Sequence, residues 1–217
     1  MQQFTRRVVE EQAASIRSEF DLNLATELDT LYKAIDAALD AEIAEDASLS
    51  DWPANNLKQK AFVLAAFRKV INDLLGCVET LRAGYFDLCQ GVLRSALEGF
   101  ATAILIDKDK EIFKAYRDGR FSVNKAVERF ANQRDMVTNE AGKQFLGVYK
   151  RLHKMAHPTV VAMAVQSPPA GGNFPIGGVF YPLRLRVYRA VTNEMTSLAQ
   201  NIEGYLKTQF PKGRPLP

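Results

Sequence analysis

The sequence predicts an all-α multi-helix bundle, with a long N-terminal helix and one Pro/Gly-rich irregular loop before the last helix. Three observations lead there. Apolar residues recur at spacings of three and four along most of the chain, as on one face of a helix. The segment from Tyr85 to Ile106 is apolar nearly all the way round, which suits a helix at the centre of a bundle. Glycine and proline gather in a few places between these stretches, where turns belong. With 217 residues, 47% of them hydrophobic, the chain can bury a sizeable core, and 1–217 is expected to be a single helical domain.

Leu24, Leu28, Leu31, Ile35, Leu39 and Ile43 follow helical spacing with acids on the opposite side, so one helix is expected from about residue 4 to 46. It forms an acidic N-terminal extension over 1–50. Residues 48–56 are rich in cap and turn formers, and Trp52 is placed at that corner. A second stripe begins at Leu57 and runs to Arg82, where Ala83-Gly84 supplies a stop. The core helix follows to Ile106. Shorter helices are expected over 109–117 and 122–136, separated by Arg117-Asp-Gly119, with Ser122 as the cap of the second. Another runs from Asn139 to His157, because Pro158 disfavours the α conformation in the residue before it. The stretch 167–182 holds four prolines and four glycines and cannot be regular helix; it either carries contacts or simply crosses the bundle. A last helix over 183–209 and a flexible tail, 210–217, complete the chain, and 57–209 form the core.

Charge and cysteine usage narrow the class. Cys77 and Cys89 sit in apolar helical patterns and read as buried thiols rather than a disulfide scaffold. Met1-Gln-Gln-Phe-Thr-Arg-Arg has no apolar region after its charges, and the longest apolar stretch, Gly99 to Ile106, is far short of the ~20 residues of a membrane span. A cytoplasmic protein without a membrane segment is expected. The net charge of +3 hides an asymmetry: residues 1–149 carry 19 basic and 23 acidic side chains, and 150–217 carry 9 and 2. The basic third either meets a polyanion or pairs with the acidic helix.

Two polar clusters stand out. Asp87, Gln90, Arg94 and Glu98 form a stripe on the core helix, read as an intrahelical Arg94–Glu98 pair or as the wall of a polar, ligand-holding cleft. Lys143, Gly147, Lys150, Lys154 and His157 share another helix face, either a solvated strip near a helix C-terminus or an edge that binds phosphate. His153 and His157 are the two histidines of the chain, so histidine acid–base chemistry near neutral pH would fall to them. Four-residue spacing also suits a metal, but Lys154 follows His153 where the helical zinc motif has Glu, and no third ligand is at hand. No Gly-x-Ser-x-Gly and no phosphate-binding glycine loop is present, and no cofactor is indicated.

Arg151 followed by His157 near the end of a helix resembles the Arg-x(4 to 6)-His signature of the HEPN superfamily. Leu93-Arg-Ser-Ala-Leu-Glu98 on the core helix and Tyr149-Lys-Arg-Leu-His-Lys-Met-Ala-His-Pro158 also look like uncharacterised bacterial HEPN-like families. The resemblance covers about residues 57–209 and implies a metal-independent endoribonuclease of toxin or phage-defence type. It further implies a homodimer, RNA as substrate, and an antitoxin or other protein partner. Arg151 and His157 would then be catalytic with His153 beside them, and Lys143, Lys150, Lys154, Arg94 and Glu98 would contact substrate. The family often has a polar residue directly after the Arg; here it is Leu152. The alternative is a non-catalytic helical protein-interaction module using the acidic first helix or the Pro/Gly loop.

Overall fold

The computed structural model describes residues 12–49, 54–133, 137–156 and 178–210, and within them the chain forms eight α-helices with no strand. They are α1 (Ala13–Asn23), α2 (Ala25–Ala47), α3 (Ala54–Arg82), α4 (Phe86–Lys108), α5 (Lys110–Arg117), α6 (Ala126–Ala131), α7 (Asn139–Ala156) and α8 (Leu185–Gln209). Short 3-10 turns at Val123–Lys125 and Pro182–Arg184 lead into α6 and α8. An all-α bundle is therefore the observed architecture. No described helix is long and apolar enough to cross a membrane.

The organising unit is the α3–α4 hairpin. Its turn is set by Gly84, whose φ of 80° suits a residue without a Cβ. Tyr85 N–H donates to Thr80 O and Gly84 N–H to Leu81 O, the paired bonds of a Schellman motif that satisfy the carbonyls at the end of α3. The two helices then pack antiparallel. Cys77 Sγ lies 3.6 Å from the Cys89 carbonyl, and both thiols are buried as expected. Farther along, a Cβ added at Gly99 would meet Val70 Cγ2 at 2.8 Å, so this glycine lets the helices approach closely.

Residues 100–107 of α4 are buried without interruption, which matches a helix surrounded on all sides. Each buried Leu, Ile or Phe there contributes about 1.5–3 kcal/mol relative to exposure. α8 lies along α2, and Arg189 Nε reaches Glu27 Oε1 at 2.8 Å, so the basic helix and the acidic one do pair. Arg68 likewise bridges Glu42 and Asp46, and Arg82 makes two bonds to Asp21 at 2.7 and 2.6 Å. Phe100, Phe130 and Phe145 join α4, α6 and α7 with ring centroids 5.2–5.9 Å apart.

Several expectations need correction. The N-terminal segment is not one helix: it breaks at Leu24 (φ −123°, ψ 19°), whose N–H still bonds to the Phe20 carbonyl at 2.9 Å before α2 begins at Ala25. The expected helix over 122–136 is only Ala126–Ala131, preceded by a 3-10 turn, and Ser122 makes no capping bond. α8 starts at Leu185 after the 3-10 turn rather than at Leu183. Trp52 and residues 211–217 lie outside the described residues.

One network was not foreseen. Asp107 is 1% exposed, and Lys60 Nζ donates to its Oδ1 at 2.5 Å while Tyr205 Oη donates to its Oδ2 at 2.6 Å. Gln59 Nε2 donates to the Ile106 carbonyl at 2.6 Å, satisfying a group at the end of α4. Lys60 also stands 4.2 Å from the Phe210 ring centroid. Burial and the neighbouring Asp107 push the Tyr205 phenol far above its ordinary range, so it stays protonated as a donor. Replacing Asp107 by Asn should remove the carboxylate paired with Lys60 and cost about 3–5 kcal/mol in urea unfolding, whereas the triple change Lys60→Met/Asp107→Leu/Tyr205→Phe, which leaves no member of the network without its partner, should recover most of that loss. Equal losses in both variants would contradict a charge-pair role.

Candidate functional site at the end of α7

α7 presents three faces. At about 100° per residue, Leu152, Met155 and Tyr149 turn inward, and all three are buried. Leu152 is fully sealed, so the position after Arg151 is apolar because it packs the core. The opposite ridge is exposed and carries Lys143, Gly147, Lys150 and Lys154. Tyr149 lies on one flank against α4 with the exposed His153 beside its ring, and Arg151 lies on the other against α8.

On the α4 flank, Glu98 Oε1 accepts from Tyr149 Oη at 2.8 Å and from Arg94 Nε at 3.0 Å. The Arg94 guanidinium stands 5.6 Å over the Tyr149 ring, and the His153 ring centroid is 6.2 Å from that of Tyr149. Arg94 and Glu98 are thus an intrahelical pair and also part of an interhelical network. Burial first, then the Glu98 hydrogen bond and charge, raise the Tyr149 phenol above its ordinary value. Below this cluster on the same stripe, Asp87 Oδ1 and Gln90 Nε2 are sealed from solvent without a hydrogen-bond partner.

On the α8 flank, Arg151 Nη2 donates to Glu194 Oε2. Burial raises the Glu194 carboxyl above the usual range, and the Arg151 charge only partly offsets it. Arg151 remains 40% exposed, enough for an anion to reach it. Arg151 and His153, two residues apart, face about 160° from each other and do not meet in one chain. His157 lies outside the described residues, as does most of the 167–182 loop. The described end of that loop crosses the α3–α4 turn: Val179 N–H donates to Gly84 O at 3.2 Å, and Phe180 packs on Phe20 and Tyr188. A cleft there, lined by Gln12, Ser15, Ile16 and residues 178–181, holds none of the predicted site residues. Among the described residues no three His, Cys, Asp or Glu side chains are grouped as a metal site would need.

Glu194 and Tyr149 are the two participants the sequence reading passed over. Glu194 had a visible signal, being one of two acids in the basic third. Tyr149 had none, because its aromatic ring fits an inward face without reference to its hydroxyl.

Two titrations probe the flanks. Glu98→Gln removes a negative neighbour and should lower the Tyr149 phenol pKa, without restoring its ordinary value, since burial is the larger cause; ¹³C NMR of labelled tyrosine reads this directly, and no change would break the proposed link. Glu194 has a raised pKa in the folded state, so its stabilising contribution is fully present below the unfolded pKa and is lost as pH rises through the folded one. The stability of wild type relative to Glu194→Gln should therefore fall as pH rises from about 4 toward neutrality. A difference that is flat or grows with pH would show that the carboxyl is not raised. Comparison of the chain with family models, curated proteins and solved structures finds no match to any of them.

Proposed function

We propose that this protein is an RNA-binding, HEPN-like helical protein that cleaves RNA without a metal, acting as a cytoplasmic homodimer in a toxin or phage-defence role. The observation that supports it is the composition of α7 at its C-terminal end. Arg151 is half-exposed with Lys150 and Lys154 near it in the last turns of the helix, and His157 follows Ala156 in the sequence. Cations there favour the helix dipole and give a polyanion its first contacts.

In the proposed reaction the ribose 2′-oxygen attacks the adjacent phosphorus and the bond to the 5′-oxygen breaks. The products are a 2′,3′-cyclic phosphate and a 5′-hydroxyl. His157 takes the 2′-hydroxyl proton or supplies one to the leaving oxygen, and Arg151 stabilises the charge growing on the phosphate. Arg151 exchanges Glu194 for phosphate in this step, which its partial exposure permits. His153, held beside Tyr149, and the Arg94–Glu98 pair border the α4 flank, where they meet substrate or the second chain's motif.

A second reading, a non-catalytic module for a protein partner or antitoxin, draws support from Leu22, Leu88 and Leu183, which stand 79%, 56% and 82% exposed. Incubating labelled RNA with wild type and with His157→Ala in EDTA separates the two. The expected result is cleavage by wild type, reduced about 10²- to 10⁴-fold in the variant. Cleavage unchanged by the substitution, or absent from both, would overturn the catalytic assignment.

A further inference from the structure

Among the described residues nothing requires a glycine at Gly147. It lies in the interior of α7, and its φ is not positive. A Cβ built there would meet nothing within 4 Å. The contrast within the same helix is Gly142, where an added Cβ would strike the Ala131 carbonyl at 2.4 Å. Glycine is among the poorest helix formers, so Gly147 weakens α7, and no described neighbour uses the space a Cβ would fill. Its neighbours along the exposed ridge are Lys143, one turn before, and Lys150 and Lys154, three and seven residues after. At 1.5 Å per residue these positions are about 6, 4.5 and 6 Å apart along the axis. The acid that α7 carries, Glu140, sits in its first turn. The ridge thus has a saddle of bare helix backbone bracketed by ammonium groups.

We infer that a single strand of RNA crosses α7 at Gly147, its sugar–phosphate backbone lying against the helix between Lys143 and Lys150. A bulky side chain at 147 would displace the strand from the helix and cost it the close approach between the two lysines. The charge of the ridge selects a polyanion, and the narrow saddle selects one strand rather than a duplex face. This inference rests on the RNA reading above and adds the surface by which RNA is held and the path it takes.

The experiment measures binding of a labelled 2′-O-methyl oligouridine, which cannot be cleaved through its 2′-oxygen, to the full chain, together with thermal unfolding. Gly147→Ala and Gly147→Leu should unfold about 2–4 °C higher than wild type, because a helix penalty is removed. Gly147→Leu should nevertheless bind RNA roughly tenfold more weakly, the loss carried by one important contact. Lys150→Ala should weaken binding and reduce its salt slope by about 0.7. Gly204→Leu, at another exposed helical glycine with open space around it on α8, should leave RNA binding unchanged.

Wild-type binding that survives in Gly147→Leu would overturn this path and leave the RNA reading standing. Failure of wild type to bind RNA at low salt would overturn both. A lower unfolding temperature in Gly147→Ala would assign the glycine a structural role and overturn the inference. So would equal sensitivity of binding to anionic phosphatidylserine vesicles, which would make the ridge a general polyanion surface.

Discussion

The rest of the structure depends on the carboxylate of Asp107. It is sealed at the end of the central helix, where an unpaired charge would be untenable, and its oxygens are occupied by Lys60 from α3 and Tyr205 from α8. Three long helices are thereby held in register at one end of the bundle. At the other end the Gly84 turn closes the α3–α4 hairpin, and Phe20, Phe86 and Phe180 surround Tyr188 on α8. Between these two fixed ends α4 is clamped along its length, and its position decides what α7 meets.

α7 packs on α4 through Tyr149 and Phe145, reaches α8 through Arg151, and leaves its third face to solvent. The local electrostatics follow from that placement. Arg94 and Tyr149 share one oxygen of Glu98, so the α4 flank is close to neutral, and Glu194 balances Arg151 on the other flank. The exposed ridge, by contrast, carries lysines without a neighbouring row of acids. The charges on both flanks hold the helix in place.

Much of this was legible in the amino-acid sequence. The stop at Gly84, the burial of α4 and the outward set of Lys143, Lys150 and Lys154 follow from periodicity and glycine placement, which depend on a helix's own geometry. What escaped depends on partners distant in sequence. Lys60 and Asp107, 47 residues apart, look like ordinary surface charges in a helical pattern until α3 and α4 are brought together. Glu194 acquires meaning only when α8 lies beside Arg151. The break at Leu24 escaped for a different reason: apolar spacing continues through it, and a change of backbone conformation at one residue leaves no mark on periodicity. The Arg151–His157 spacing was readable in the residues themselves, whereas the pairing of Arg151 with Glu194 was not.

The central claim is that the outward ridge of α7 is the face that receives RNA. Lysine acetylation of the full chain with and without a single-stranded oligoribonucleotide, read residue by residue by mass spectrometry, tests it most directly. The account predicts protection of Lys143, Lys150 and Lys154, with Lys33 on α2 and Lys207 on α8 labelled equally in both states. Protection spread evenly over all five, or confined to lysines outside α7, would contradict it.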